Sequence, residues 1–412
     1  MWGNRFRTRL IGRWIAGALV CALLVAACGP SPVAPSERQT TTRFTMPQTL
    51  VWTAYDVGSA SYSQALSIGN AMAQKEGITL RIIPAGNDVA RQSPIVARRA
   101  QFGALGIATF LSQEGVMDFA TTDWGPQQVR ILGAAWSAFN TGVASCAGDV
   151  GIKTVYDLRG KRIAWVVGAP ALNLNMTAFL AAGNLTWNDV QKVEFPSWGA
   201  SLRAVIEGRA DCAIANTNSG QAYEIASSPR KYTPAAMPKP AEDPAAWERL
   251  KKYAPYFEYN EATIGAPPVS PENPHIGATY GFPIIATYAW QDPELVYQVT
   301  RMLYELFPLY KDAYPGNDGF GLDRQRFKWV VPYHEGAVRY FKEKGVWNDE
   351  YEKHNQQLIR RQEALAKAWE RALDEAQKQQ VALARFPDLW MKIRAEELRK
   401  AGFEPYWSEK FW

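Results

Sequence analysis

The chain has 412 residues, too many for one ordinary core and enough for two lobes. Its composition is globular, 47% hydrophobic and 21% charged, and 26 Pro with 16 Trp point to long loops pinned by aromatic anchors. The net charge of +5 belongs mostly to the first 27 residues, which hold four Arg and no acid; the remainder has 41 Lys and Arg against 40 Asp and Glu, so charge implies no nucleic-acid partner.

Arg5, Arg7, Arg9 and Arg13 form a basic region ahead of Trp14–Ala27, an uncharged and mostly apolar run of 14 residues. That run is too short to span a bilayer and suits the core of a signal peptide. It ends in Leu24-Val25-Ala26-Ala27-Cys28, which resembles a bacterial lipobox. The expectation is removal of residues 1–27, acylation of Cys28 and an extracytoplasmic, lipid-anchored protein. Residues 28–48, rich in Pro, Ser and Thr, read as a flexible tether. Cys146 and Cys212 then remain in an oxidising compartment, where an even pair permits a disulfide. Both sit in strand-like runs (GVASC and DCAIAN), so two buried free thiols are the alternative.

From Thr49 strands and helices alternate. A strand near 49–55 is followed by a helix over 61–75, a strand over 78–84, a helical segment over 88–99, a strand over 102–108 and a helical segment over 109–116. In the first helix Leu66, Ile68, Ala71 and Met72 supply an apolar face, leaving Gln64, Asn70 and Gln74 for solvent. Two extended runs, VRILGAAW and NTGVASC, mark a crossing between lobes. A second alternating series follows: a helical turn at Lys153–Leu158, strands at Lys161–Val167, Val190–Phe195 and Ala210–Asn216, and helices at Ala171–Ala182 and Ala200–Gly208. Residues 227–274 read as a Pro-rich insertion over a lobe surface or the cleft mouth, with one helical island at Asp243–Tyr253. GFPIIATY, Gly281–Tyr288, is a plausible second crossing, and Pro293–Tyr310 a strong helix. Beyond Asn348 the chain reads as mostly helical to Ala401 and packed along the body, because Leu358, Leu365, Ala372 and Val381 do not sustain a heptad.

The fold expected is α/β and two-lobed, of the type II periplasmic-binding-protein kind. Each lobe is a small, mostly parallel sheet flanked by helices. Lobe 1 would comprise 49–138 plus 280–345, lobe 2 139–279, and a helical extension 346–412.

The stretch Val51 to Gln74 carries the first site argument. A loop of small residues, Gly58, Ser59, Ala60 and Ser61, lets a ligand approach bare backbone. The helix start behind it offers unpaired N–H groups and a positive dipole end, a ready seat for a carboxylate. Tyr62, on the first helical turn, can reach the same group.

Several stretches resemble the TAXI subgroup of solute-binding proteins of tripartite TRAP transporters. VVPYHEGAVRYFKEKG, Val330–Gly345, is similar to that family's closing signature. IKTVYDLRGKR and ASLRAVIEGRADCAI resemble its entry into the second lobe and the helix and strand that follow. Thr53, Gly58 and Tyr62 match its opening pattern, and Ala85–Leu105 its next loop, helix and strand. The resemblance covers roughly Thr49 to Asp349 and implies a receptor that binds a small carboxylate and hands it to a TRAP permease. Three loops depart from the family pattern. The first has less Gly, Gly86-Asn87-Asp88-Val89-Ala90-Arg91 replaces Gly-Gly-Ser-Val-x-Asn, and Ala171-Leu172-Asn173 replaces Gly-Ser-Gly. The glutamate bound by some members is therefore not carried over.

Arg91 stands where the family has Asn, and a planar guanidinium holds a carboxylate bidentately. A surface Arg beside Arg98 and Arg99 is the equal alternative. Asn87, Asn173 and Asn175 could donate neutral hydrogen bonds or serve as turn and cap residues. Trp198 could wall a cleft or pack in the core, and Asn216 and Thr217 follow a lobe-two strand on the side where open α/β sheets bind ligands. Enzyme readings are weak. The three His (His275, His334, His354) lack metal spacing, no G-x-S-x-G is present, and no cofactor is implied; His334 is expected to cap or orient its helix. A sensor or structural lipoprotein on the same fold is the competing reading.

Overall fold

The computed structural model describes residues 44–412; the expected leader 1–27, Cys28 and most of the tether lie outside the described residues. The chain divides after Phe44, and every strand and helix among the described residues belongs to the compact unit Thr45–Trp412.

The first series is β1 (Thr49–Tyr55), α1 (Ala60–Glu76), β2 (Thr79–Ala85), α2 (Asp88–Val96), β3 (Phe102–Leu105), α3 (Ala108–Glu114) and β4 (Val129–Ala134). Next come β5 (Val143–Ala147), β6 (Arg162–Val166), α4 (Pro170–Ala182), β7 (Gln191–Phe195), α5 (Trp198–Ile206), β8 (Cys212–Ala215) and α6 (Gly220–Ser227). The Pro-rich stretch holds β9 (Tyr232–Pro234), α7 (Pro244–Tyr253), β10 (Glu258–Ala262) and β11 (His275–Thr279). The chain returns as β12 (Ile284–Tyr288), α8 (Pro293–Glu305), α9 (Phe307–Tyr310) and α10 (Glu335–Glu343), then ends in α11 (Asp349–Lys378) and α12 (Phe386–Lys400).

Two five-stranded sheets share one plan. The first has the order β2-β1-β3-β12-β4, the second β7-β6-β8-β5-β9. In each, three parallel strands are followed by one reversed strand, β12 or β5, antiparallel to both its neighbours. That reversed strand is the one that has just arrived from the other sheet, so the two crossings interlock the lobes. Strands β3, β5, β8 and β12 inside the sheets, and β4 at the edge of the first, are buried along their whole length, as strands covered on both faces are. The chain is therefore the expected two-lobed α/β structure with a helical C-terminal region.

Cys146 and Cys212 face each other in register on β5 and β8 and are joined by a disulfide, with Cα atoms 4.0 Å apart. The flanking bond from the Ala147 N–H to the Asp211 carbonyl makes them a non-hydrogen-bonded pair, where opposing side chains come closest.

Three local expectations change. In α1, Gln64 is buried and Leu66 is 45% exposed. Ser61, Gln64, Ala65, Ile68 and Met72 recur at intervals of three and four on the inward face, and Leu66 falls outside it, so helical phase outweighs side-chain polarity. The helix expected over 293–310 breaks at Leu306, because Pro308 has no N–H for the Tyr304 carbonyl. The Pro-rich stretch is more than a cover. Its β9 forms the edge of the second sheet, where Pro234 removes no ladder bond, and its α7 presents Arg249 to the Ala181 and Ala182 carbonyls at the end of α4.

The extension packs along the first lobe. Arg361 of α11 holds the buried Glu114 carboxylate of α3 through Nε (2.7 Å) and Nη2 (2.9 Å), and Arg394 of α12 bonds the same carboxylate. Trp369 and Trp390 meet edge to face at 4.8 Å between the two helices.

Candidate functional site

Five of the helices that follow strands, α1, α2, α4, α5 and α6, meet across the gap between the sheets, where bonds at their first turns or the loops before them pass from one lobe to the other. Four carry a side-chain cap. Ser59 Oγ accepts from the Tyr62 N–H (3.2 Å), Asn87 Oδ1 from Ala90 (2.8 Å), Ser197 Oγ from Ala200 (3.2 Å) and Ser219 Oγ from Ala222 (3.3 Å). The fifth, α4, has Ala169 at its cap position and no side-chain cap of its own. Its first turn is served from the opposite lobe, where Asp88 Oδ2 accepts from the Ala171 N–H at 2.9 Å.

The other oxygen of Asp88 organises the lobe-one side. Oδ1 accepts from the Tyr55 hydroxyl at 2.6 Å and from Arg91 Nη2 at 2.5 Å. Arg91 Nη1 donates to the Ala104 carbonyl at 3.2 Å, and the guanidinium lies 3.5 Å from the centre of the Tyr55 ring. Asp88 is wholly buried and Arg91 only 1% exposed. Burial alone would lower the Arg91 pKa, but Tyr55 and Asp88 more than offset it and hold the side chain cationic. The Tyr55 phenol is pushed well up, first by burial and then by the Asp88 charge. The cluster thus sets the Asp88 carboxyl group against the Arg91 guanidinium in one buried ion pair. Arg91 Nε is left without a partner.

Around this cluster lies a cavity lined by Tyr55, Ser59 and Arg91 from the first lobe and by Asn175, Trp198, Asn216 and Ser219 from the second. Tyr280 and Phe282 of the second crossing complete the wall. Its free volume is about 30 Å³, room for roughly one or two waters. The lobes are drawn together over it by backbone bonds from Trp198 to Gly86 (2.8 Å), Val89 to Gly168 (3.1 Å) and Gly220 to Gly58 (3.2 Å). The last requires glycine, since a Cβ on Gly220 would sit 2.8 Å from the Gly58 oxygen, and Gly58 itself has φ +86°. This is a closed cleft.

Of the residues expected at a ligand, Ser59, Arg91, Asn175, Trp198 and Asn216 line the cavity. Trp198 is held there by its N–H to the Ile214 carbonyl (2.8 Å), Asn216 by accepting from the Gly142 N–H (2.8 Å), and Asn175 by accepting from the Tyr256 hydroxyl (2.7 Å). The others serve the frame. Gly58 meets Gly220, Ser61 Oγ accepts from the Tyr55 N–H, and Asn87 caps α2. Asn173 is spent on both backbone groups of Val166, and Thr217 bonds Asn140 and Ile264 beside the crossing. Tyr62 is half-buried and not part of the lining.

The role expected of Arg91 needs correction. It is in the cleft, but its charge is met by Asp88 three residues before it, so it is no free clamp for a ligand acid. The i,i+3 spacing of an acid and an Arg on one helix was the signal available in the sequence. Tyr55, Tyr280 and Phe282 were missed because each reads as an ordinary strand-end aromatic. His334 caps α10, its Nδ1 accepting from the Gly336 N–H at 3.1 Å.

Residues 55–345 match the NMT1-like family. No curated protein matches the chain in sequence. Solved structures of similar fold include a protein from Bordetella bronchiseptica RB50, at 13% identity and TM-score 0.43 over 76% of this chain and 98% of that one. The alkanesulfonate-binding protein of Xanthomonas axonopodis pv. citri bound to MOPS is similar at 13% identity and TM-score 0.39, over 74% and 96%. An ancestral arginine-binding protein bound to arginine is similar at 13% identity and TM-score 0.39, over 67% and 97%.

Proposed function

The chain belongs to the NMT1-like family, and we propose that it is an extracytoplasmic solute receptor. Its two lobes close on a small polar solute, and the closed form delivers that solute to a membrane permease. The single observation behind this reading is the cleft itself. Helix N-termini from both lobes converge on one enclosed cavity, walled by aromatic rings and neutral polar side chains and sealed by bonds that only the closed form can make. A solute touching both lobes stabilises closure by its differential affinity, and a permease can read that state. No group in the cleft is placed as nucleophile and base, so the proposal includes no covalent chemistry.

The finer parts of the proposal rest on sequence. The TAXI-like signatures favour a TRAP-type permease as partner, and the lipobox-like run favours a lipid on Cys28 holding the receptor at a bacterial membrane. The organic acid expected as ligand no longer has a free cation to meet it, so the proposal is for a small polar solute.

A thermal-shift screen of the protein from Cys28 onward tests the reading. A ligand at a hundredfold excess over its dissociation constant should add about 2.7 kcal/mol of stability. Recovery of the full-length protein from membranes together with a permease supports transport. Recovery with a signalling protein instead, and no stabilising solute, would replace this reading with the sensor.

A further inference from the structure

We propose that Asp88 is the charge filter of the cleft: it fills from within the seat that a ligand carboxylate would take, so the cleft admits a small solute whose inward end is uncharged. The inference rests on the receptor reading above and specifies its ligand.

Three donors converge on Asp88: Arg91 Nη2, the Tyr55 hydroxyl and the Ala171 N–H at the uncapped start of α4. A guanidinium, a phenol and a helix N-terminus together make a carboxylate site. Here the carboxylate belongs to the chain. It links Tyr55 and Arg91 of one lobe to α4 of the other, as a bridging ligand would. Arg91 is the sole cation among the residues lining the cavity, and its charge is already matched. A ligand acid entering beside Asp88 would be a second buried carboxylate with no counter-ion, facing like charge at short range.

What remains open in the site is one hydrogen-bond donor of a guanidinium whose charge is already paired with Asp88. Among the lining residues, Arg91 Nε is the buried side-chain polar atom without a partner. An N–H donor of that kind takes a carbonyl or hydroxyl oxygen. Trp198, Tyr280 and Phe282 offer faces to the rest of a small apolar or amide-bearing molecule. The substrate class is therefore a small amide, alcohol or similar neutral solute.

The test compares acetate with acetamide, at matched ionic strength with chloride as control, on the wild-type protein and on Asp88→Ala. In the wild type acetamide should stabilise the fold, and acetate should do no more than chloride. In Asp88→Ala the vacated seat should bind acetate at least about tenfold more tightly than the wild type does, one pKa unit's worth of charge preference. That gain should vanish in Asp88→Ala combined with Arg91→Gln. If Asp88→Ala does not fold, Asp88→Ser, which also removes the carboxylate and leaves room in the seat, takes its place. A wild type that prefers acetate to acetamide overturns the filter and leaves the receptor standing. No gain of acetate binding in either folded Asp88 variant also overturns the filter. Silence of the wild type toward every probe, with no gain in the variants, overturns the receptor reading along with it.

Discussion

Trp407 donates its indole N–H to the carbonyl of Tyr253 at 3.2 Å, so the last residues of the chain reach the second lobe. The same residue is tied to the first lobe and its extension. Its carbonyl accepts from Arg394 Nη1 at 2.8 Å, and its ring lies 5.6 Å from that of Phe110 on α3. The tail is a strap between lobes. Trp407→Ala should cost about 3–5 kcal/mol, the usual range for truncating a buried aromatic. It should also loosen closure, read as a larger radius of gyration in small-angle scattering of the ligand-free protein. An unchanged radius would assign the strap to stability alone.

Glu114 is the pivot on which the extension is fastened. Burial raises its pKa, but Arg361 and Arg394 lower it further, and the net result is a carboxyl held below its ordinary value of 4.5. A depressed carboxylate contributes stability that is present above the unfolded value and is lost as pH falls through the folded one. Acid unfolding should therefore steepen below about pH 4.5 in the wild type and flatten in Glu114→Gln. At neutral pH that substitution leaves two buried guanidinium groups without their anion, at a cost of about 3–5 kcal/mol in chemical denaturation.

His275 should add a second, milder acid sensitivity. Its Nδ1 faces the Asn140 side-chain amide at 2.9 Å and its Nε2 the Ala235 carbonyl at 3.3 Å, an arrangement that suits the neutral ring protonated on Nε2. Burial pushes its pKa down to about 4 from 6.5. The unfolded chain thus binds this proton first, and stability that is complete above pH 6.5 drains away toward pH 4, by about 3 kcal/mol. His334, pushed down to about 4 by burial and by Arg130, acts over the same window. His275→Gln should accordingly reduce the slope of stability against pH between 6.5 and 4 without abolishing it.

The Cys146–Cys212 bridge closes a loop spanning 66 positions. Reducing it, or replacing both residues with Ala, should cost about 4 kcal/mol on the chain-entropy account. Thiol labelling of the denatured, unreduced protein checks the bond first: two titratable thiols at positions 146 and 212 would contradict it.

How much of this was legible varies by residue. The alternation of strand and helix from Thr49 onward was readable because hydrophobic period is a local property. So was the cap role of His334, because a cap serves the turn beside it. The phase of α1 was misjudged at Leu66 and Gln64, since composition alone does not say which way a helix faces a sheet. The disulfide stood open as one of two alternatives, because strand register across 66 positions has no local sign.

The sequence by itself determined the class of the fold, the order of its elements and the neighbourhood of the cleft, all set by patterns a few residues long. Only the tertiary structure decided what the cleft can hold. Asp88 and Arg91 are three residues apart and visible to any reader of the chain, but the third member, the N–H of Ala171, is 83 positions away. Whether a buried charge is free or spent depends on distances in space, where electrostatic energy falls with separation and no spacing along the chain records it.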